Sequence, residues 1–315
     1  MVTSKVSKSL HSHPCDFCGS VSGRLIFRGG DLLEDMPGSF QFIECDGCGV
    51  FRQEPRLDWQ DLAEYYQPGY VCHGEQLSEG KRSIEEKSRS LGPKKRVKRV
   101  SRYKPEGDWL DVGCGSGIIL QAAQEQGNWR LQGVEPVAAM ADYTAQRLGI
   151  EVYSGTFESF SAEEASFDVI TMWDVLEHLA SPYASIQHVS KLLKQDGYFL
   201  FSTPNLTSLD RKLFGEAWLG YDLPRHLYLF PDQLLRKALK QNGMEVLDRF
   251  CFTGSHGAWY LDFAYLNKLR PNRLLGWVLR RGLSGLGFRL LSFLPLRVVD
   301  WLKLGTSITY VVGKL

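Results

Sequence analysis

The chain has 315 residues, 43% apolar and 23% charged, which excludes wholesale disorder and predicts about two domains with room for a large core. Thirty-seven Lys and Arg stand against 36 Asp and Glu, a formal charge of +1, and this balance excludes the global basic footprint of a nucleic-acid binder while leaving local patches open. No uninterrupted apolar run reaches the ~18 residues that a spanning helix requires, and the first residues hold no signal-peptide core, so the expected location is the cytoplasm, with the inner face of the membrane as an alternative.

The first chemistry along the chain is carried by cysteines. Four of the seven form two pairs, Cys15-Asp16-Phe17-Cys18 and Cys45-Asp46-Gly47-Cys48, each spaced so that two thiolates grip one ion. Gly19 and Gly49 follow the second cysteine of each pair and permit a tight knuckle turn. Two such knuckles complete a closed tetrahedral site, and strand-like segments at 24–28 and 40–44 lie between them. The reading is a structural zinc ribbon over residues 1–54, with disulfides or free thiols as the alternatives that a reducing cytosol and paired spacing disfavour. Cys72, Cys114 and Cys251 are unpaired and read as ordinary small apolar residues.

A helical linker is expected over 55–104. An amphipathic helix at 57–66 ends at Gln67-Pro68-Gly69-Tyr70, and Tyr65, Tyr66 and Tyr70 are either an aromatic wall over a site or simple packing. The linker closes on a basic run from Lys94 to Lys104, read as a solvated helix face, a dock for a phosphate or an anionic substrate, or the source of an arginine that reaches a carboxylate of a bound cofactor.

The third region, 105–315, opens on Leu110-Asp111-Val112-Gly113-Cys114-Gly115-Ser116-Gly117: an apolar strand end, three alternate glycines and an apolar helix start. Such a turn lets backbone pass close to a ligand, with helix N–H groups as donors. The spacing is not that of a dinucleotide fingerprint, because Ile118 stands where the third glycine belongs. A helix at 118–126 and a strand ending at Glu135 follow, and that carboxylate can accept both hydroxyls of a ribose. A nucleoside is expected there. Strands are predicted at 108–112, 130–135, 150–153, 167–172, 197–202, 244–253 and 306–312, alternating with helices as in a doubly wound sheet. Two insertions interrupt the pattern. Residues 204–232 are rich in aromatics and read as a lid. Residues 254–304 are basic and apolar: Lys268, Arg270, Arg273, Arg280, Arg281, Arg289, Arg297 and Lys303 face one acid, Asp300, between 264 and 303. That segment suits a core, a dimer contact, or a helix lying on an anionic membrane surface.

The glycine loop with Glu135 downstream, followed by Phe167-Asp168-Val169-Ile170, Asp174-Val175-Leu176-Glu177-His178-Leu179 and Leu193-Lys194-Gln195-Asp196-Gly197-Tyr198, resembles the class I S-adenosylmethionine-dependent methyltransferases over roughly 105–205. The resemblance implies an α/β, Rossmann-like seven-stranded sheet with an antiparallel last strand. It also implies site roles. Gly113, Gly115 and Gly117 pass beneath the cofactor, Asp111 fixes the loop, Glu135 takes the ribose, and Pro136 packs near the adenine edge. Thr156 and Phe157 occupy the place where the family often carries an aspartate on the adenine amino group, and Trp173 and Asp174 stand where it contacts the methionine part. Candidate bases are His226, in Pro224-Arg225-His226-Leu227-Tyr228, and then His178; in related quinone-hydroxyl methyltransferases a Glu-His pair such as Glu177-His178 holds a divalent cation.

The ribbon, Pro204-Asn205 and the Pro224–Tyr228 run together resemble bacterial methyltransferases associated with cell-surface polysaccharide and glycolipid assembly. The expected reaction is O-methylation of a saccharide, a lipid-linked glycan or another small hydroxyl compound. Two other classes stand beside it: an RNA methyltransferase that grips RNA with its ribbon, against which the near-zero charge and the lack of an Asn-Pro-Pro-Tyr element argue, and a non-enzymatic docking module.

Overall fold

A computed structural model describes residues 13–66, 84–252, 255–278 and 286–315. The expectations for Gln67-Pro68-Gly69-Tyr70, Cys72, Arg280 and Arg281 lie outside the described residues. Contacts divide the chain into two compact units, Met1–Gln67 with Pro204–Leu234 and Phe250–Ile308, and Pro68–Thr203 with Leu235–Arg249 and Thr309–Leu315. This grouping departs from the linear division at 54 and 104: the segments 204–232 and 254–304 associate with the first sixty-odd residues, for reasons of strand pairing and helix packing given below.

The second unit carries the large sheet. Its strands are β4 (Gly107–Val112), β5 (Trp129–Glu135), β6 (Glu151–Ser154), β7 (Phe167–Trp173), β8 (Leu193–Pro204), β10 (Met244–Phe250) and β11 (Ser307–Lys314), in spatial order β10-β11-β8-β7-β4-β5-β6. All seven strands expected from the sequence form. The pairings β4–β5, β4–β7, β5–β6 and β7–β8 are parallel. Parallel strands covered on both faces read as continuous apolar runs, and β7 is buried over six consecutive residues, Phe167 to Met172. Each fully buried Val, Ile, Phe or Met there contributes about 1.5–3 kcal/mol. Helices α3 (Ile118–Gln126), α4 (Ala138–Leu148) and α5 (Pro182–Leu192) make the crossovers. Their apolar faces, Ile119, Leu120 and Ala123 on α3 and Ile186 and Val189 on α5, recur at helical spacing and are buried.

The first unit holds a second sheet of four strands, β1 (Gly23–Gly29), β2 (Phe40–Cys45), β3 (Phe51–Gln53) and β9 (Tyr228–Leu229). β1–β2, β2–β3 and β3–β9 are all antiparallel. The strands expected at 24–28 and 40–44 are therefore present, and β9 extends their sheet from far downstream of β3 in the chain. The expected helix at 57–66 is a single short turn, α1 (Trp59–Ala63). Phe27 and Phe42 pack on Tyr221, whose ring stacks on Phe27 at 4.6 Å. Helix α8 (Ser255–Leu269) buries Tyr265 against Phe214 and Ala217, with Trp259 and Phe263 around them. Its Asp262 accepts the Leu219 N–H at 2.6 Å with no solvent exposure. Helices α9 (Arg273–Val278) and α10 (Leu286–Trp301) complete the insertion, α10 packing on α8.

One buried charge cluster pins this unit. Arg225 is fully buried, donates to both oxygens of Asp31 at 2.6 and 3.1 Å, and also bonds Asp222 at 2.7 Å and the Tyr65 carbonyl at 3.3 Å. A buried guanidinium is tolerated only because every face finds an acceptor; without Asp31 the Asp222 carboxylate would still balance the charge, but buried N–H donors would lose their partner at a cost of about 1–3 kcal/mol.

Candidate active site

β4 is where the sheet's connectivity reverses: the chain proceeds to one side through β5 and β6 and to the other through β7 and β8. Ligands in such sheets bind in the crevice beyond the carboxyl ends of the strands at that point. The glycine loop occupies it. Gly113, Gly115 and Gly117 all have positive φ, at 68°, 49° and 72°, the left-handed region that side chains resist. The Gly113 and Cys114 N–H groups donate to the Val134 carbonyl of β5 at 2.8 and 3.1 Å, and Gly117 donates to Cys114 at 2.9 Å. A Cβ on Gly113 would meet Val175 at 2.6 Å, and one on Gly117 would meet Thr144 at 2.5 Å. The glycines thus serve a tight turn packed against its own protein, in addition to the close ligand approach expected of them. α3 starts from Gly117 with no side-chain cap, so donors of its first turn are left for a ligand.

Asp111 does not fix this loop. It is 2% exposed, and its carboxyl accepts the Thr171 hydroxyl of β7, which in turn accepts the Trp109 indole N–H at 2.8 Å. The loop is held by main chain, and Asp111 ties β4 to β7 at a register where it faces Thr171. Burial pushes its carboxyl up to about 7, against the pull of Thr171 and Arg96.

Glu135, at the end of β5, braces the loop from the side. One oxygen accepts the Gly115 N–H at 2.9 Å and the other the Val137 N–H at 3.0 Å. A carboxylate has about four acceptor positions, so two remain for hydroxyls. Burial raises its pKa, and the two N–H groups oppose the rise. Pro136 follows, half-buried.

Past β6, Thr156 precedes a 3-10 turn, Phe157–Ser159. Its hydroxyl lies 3.3 Å from that of Ser159. Phe157 points inward, 2% exposed, with its ring beside Phe160 and 4.9 Å from the His188 ring. That leaves Phe157 its backbone alone to offer a ligand.

Trp173 and Asp174 end β7. Trp173 is half-buried with the Arg96 guanidinium 5.1 Å over its ring, and Arg96 lies 3.8 Å from Asp174. Asp174 has φ 56°, a strained conformation for a residue with a side chain, and Ser202 of β8 holds it there: the Asp174 N–H donates to Ser202 Oγ at 3.0 Å and Ser202 Oγ donates back to the carboxylate at 2.9 Å. Arg96 comes from α2 (Ile84–Val100), in the basic run. Ser202 and Thr171 escaped sequence reasoning; a hydroxyl inside an apolar strand was the available signal. His178 is half-buried at the end of a 3-10 turn, Leu176–His178, beside fully buried Glu177.

Residues 85–249, just over half of the chain, match the family described as "Methyltransferase domain". The chain belongs to this methyltransferase family. Among curated proteins, the methyltransferase is 26% identical over 211 residues to the ubiquinone biosynthesis O-methyltransferase of Leptothrix cholodnii, covering 65% of this chain and 75% of that one. It is 29% identical over 150 residues to that of Maricaulis maris, covering 44% of this chain and 58% of the relative. Among solved structures it resembles magnesium protoporphyrin IX methyltransferase from Synechocystis PCC 6803 with bound SAH, at a TM-score of 0.51 and 13% identity over 82% of this chain and 100% of that chain. That last likeness is one of fold. The protein is an S-adenosylmethionine-dependent enzyme, which sets aside the docking-module alternative.

The methyltransferase's other unit carries a cluster of four thiols. The Sγ atoms of Cys15, Cys18, Cys45 and Cys48 lie within 4.8 Å of one another, with Cys15–Cys48 and Cys18–Cys45 at 3.5 Å. Four sulfurs at ~2.3 Å around one tetrahedral zinc stand about 3.8 Å apart, so the spacing matches that donor set. Gly19 and Gly49, at φ 73° and 74°, donate back to the Cys15 and Cys45 carbonyls and close both knuckles. Burial raises the thiols of Cys15 and Cys48; at Cys45 burial is opposed by the Gly47 and Cys48 N–H groups and by the Cys18 and Cys15 thiols, which together lower it to about 7. No described cysteine is in a disulfide. Cys114 is buried beside Gly133, with its thiol raised by desolvation.

His226 lies in the first unit, 9% exposed. Its Nδ1 is 2.9 Å from the Gly220 carbonyl and its Nε2 4.0 Å from the Asp222 carboxylate. The carbonyl assigns the proton to Nδ1 and makes Nε2 the basic nitrogen.

Proposed function

We propose that this methyltransferase transfers a methyl group to a hydroxyl of a small compound, with a saccharide or lipid-linked glycan as the acceptor class. The observation that carries the reading is the switch-point loop: positive-φ glycines at 113, 115 and 117 with the Glu135 carboxylate braced beside them and half its acceptor positions spare. The relatives' printed names support O-methylation over transfer to carbon or nitrogen, and the near-neutral charge supports a small acceptor over RNA.

S-adenosylmethionine, when bound, supplies a methyl group on a sulfonium centre. Glu135 would accept the ribose hydroxyls, the loop and the first turn of α3 would line its path, and Pro136, Thr156 and the Phe157 backbone would edge the base. Trp173, Asp174 and Arg96 would meet the methionine part, Arg96 as the partner of its carboxylate. The protein's remaining work is to hold the acceptor oxygen in line and take its proton. His226, with Nε2 as its basic nitrogen, is the first candidate and His178 the second. The four-cysteine cluster fits zinc with no position left for water or substrate, a structural role.

The test is mass spectrometry of products formed from labelled S-adenosylmethionine with phenolic, saccharide and cell-envelope acceptors. A labelled methyl ether on a saccharide or lipid-linked product is expected; label appearing only on nitrogen or in RNA overturns the reading. His226→Ala should lower turnover by about 10²–10⁴ with cofactor affinity unchanged. A small loss there with a large one in His178→Ala moves the base to His178.

A further inference from the structure

Large apolar side chains rarely crowd an exposed helix face, yet the end of the insertion carries five within ten positions. Phe293, Leu294, Val298, Trp301 and Leu302 are 52%, 71%, 54%, 79% and 51% exposed. Leu294, Val298 and Trp301 repeat at i, i+4 and i+7 and form one stripe of α10, while Leu296 and Asp300 turn to the buried side at 8% and 6%. The Arg297 guanidinium lies 5.5 Å over the Phe293 ring, and Lys303 follows the helix. Arg270, Arg273 and Leu274, around the start of α9, are exposed too, and no exposed described residue from 264 to 303 is acidic.

We infer that α10, with the basic residues around it, is a face that lies on an anionic lipid surface. The sign of the charge selects this occupant. The exposed cations Arg270, Arg273, Arg297 and Lys303 meet no exposed described acid between 264 and 303, so two copies joined through this face would set like charges against each other. An RNA backbone would engage the cations but gain nothing from Leu294, Val298 and Leu302. A bilayer with acidic headgroups uses both: cations meet the headgroups, and the apolar stripe with Trp301 enters the acyl boundary. No helix among the described residues is long and apolar enough to cross a membrane, so the contact is peripheral. The inference is independent of which acceptor is methylated.

The full chain is sedimented with vesicles of phosphatidylcholine alone and of phosphatidylcholine and phosphatidylglycerol in equal parts. Binding is expected to the second only and to weaken as salt rises. The pair Leu294→Asp and Val298→Asp, both on solvent-facing positions, should cut partitioning by about tenfold or more with melting temperature and S-adenosylmethionine binding unchanged. Three results overturn the inference: equal binding to both vesicles or to neither; a wild-type dimer by light scattering that the double variant converts to monomer; or salt-sensitive binding to an RNA oligonucleotide with no vesicle binding.

Discussion

Asp111 shows how a single residue's surroundings carry a measurable consequence. Its carboxyl is enclosed, bonded to Thr171, and raised from 3.8 to about 7 chiefly by desolvation. Because the folded pKa exceeds the unfolded one, the group costs nothing below about pH 3.8, where both states are protonated. Between that value and 7 the unfolded chain ionises first and stability falls. Asp111→Asn keeps an acceptor for Thr171 and removes the ionisation. The variant's unfolding free energy relative to the parent's should climb between pH 4 and pH 7, toward a difference on the order of 2–4 kcal/mol in denaturant titration; a gap that stays level with pH contradicts the assignment. Gly113 offers a second test. An alanine there brings both a left-handed φ and a Cβ 2.6 Å from Val175, so Gly113→Ala should cost about 1–3 kcal/mol in denaturant unfolding. Adding Val175→Ala should recover the steric part but not the conformational part. Full recovery would mean that φ carries no cost.

At the scale of elements, the alternating pattern was readable because helices and parallel strands leave distinct periods in the chain. The strand expected at 150–153 is β6 at 151–154, and that expected at 197–202 lies within the longer β8. Its extra residues, Leu193 to Asp196, carry a lysine and an aspartate that mask the apolar signal. β9 was not readable. Two residues make too short a run for periodicity, and their pairing with β3 is set by packing of a distant segment. The knuckles were readable because two cysteines at this interval with a glycine next fix a tight turn within the chain itself. One zinc per chain is expected by atomic emission, and none after Cys45→Ser with Cys48→Ser; full stoichiometry in that variant would remove the four-thiol assignment.

The whole molecule divides by contacts, so a change in one unit should travel with that unit. The thiol cluster belongs with 204–234 and 250–308. Stripping metal from it should raise amide exchange in β1, β2, β3 and β9 and in the buried turn of α8, while β4 and β7 keep their protection. Uniform loosening of both sheets would argue against this division.

What is local in chemistry could be read along the chain: the glycine loop, the acid at the end of β5, the paired cysteines, and the order of strands and helices. Each rests on a short spacing that backbone geometry or a ligand's geometry imposes. Tertiary structure decided what depends on distant partners. Only packing laid Arg96 of the basic run over Trp173, turned Asp111 from the loop to Thr171, buried Arg225 against Asp31, and laid α10 with its apolar stripe outward, because burial and pairing arise from contacts that no interval along the chain encodes.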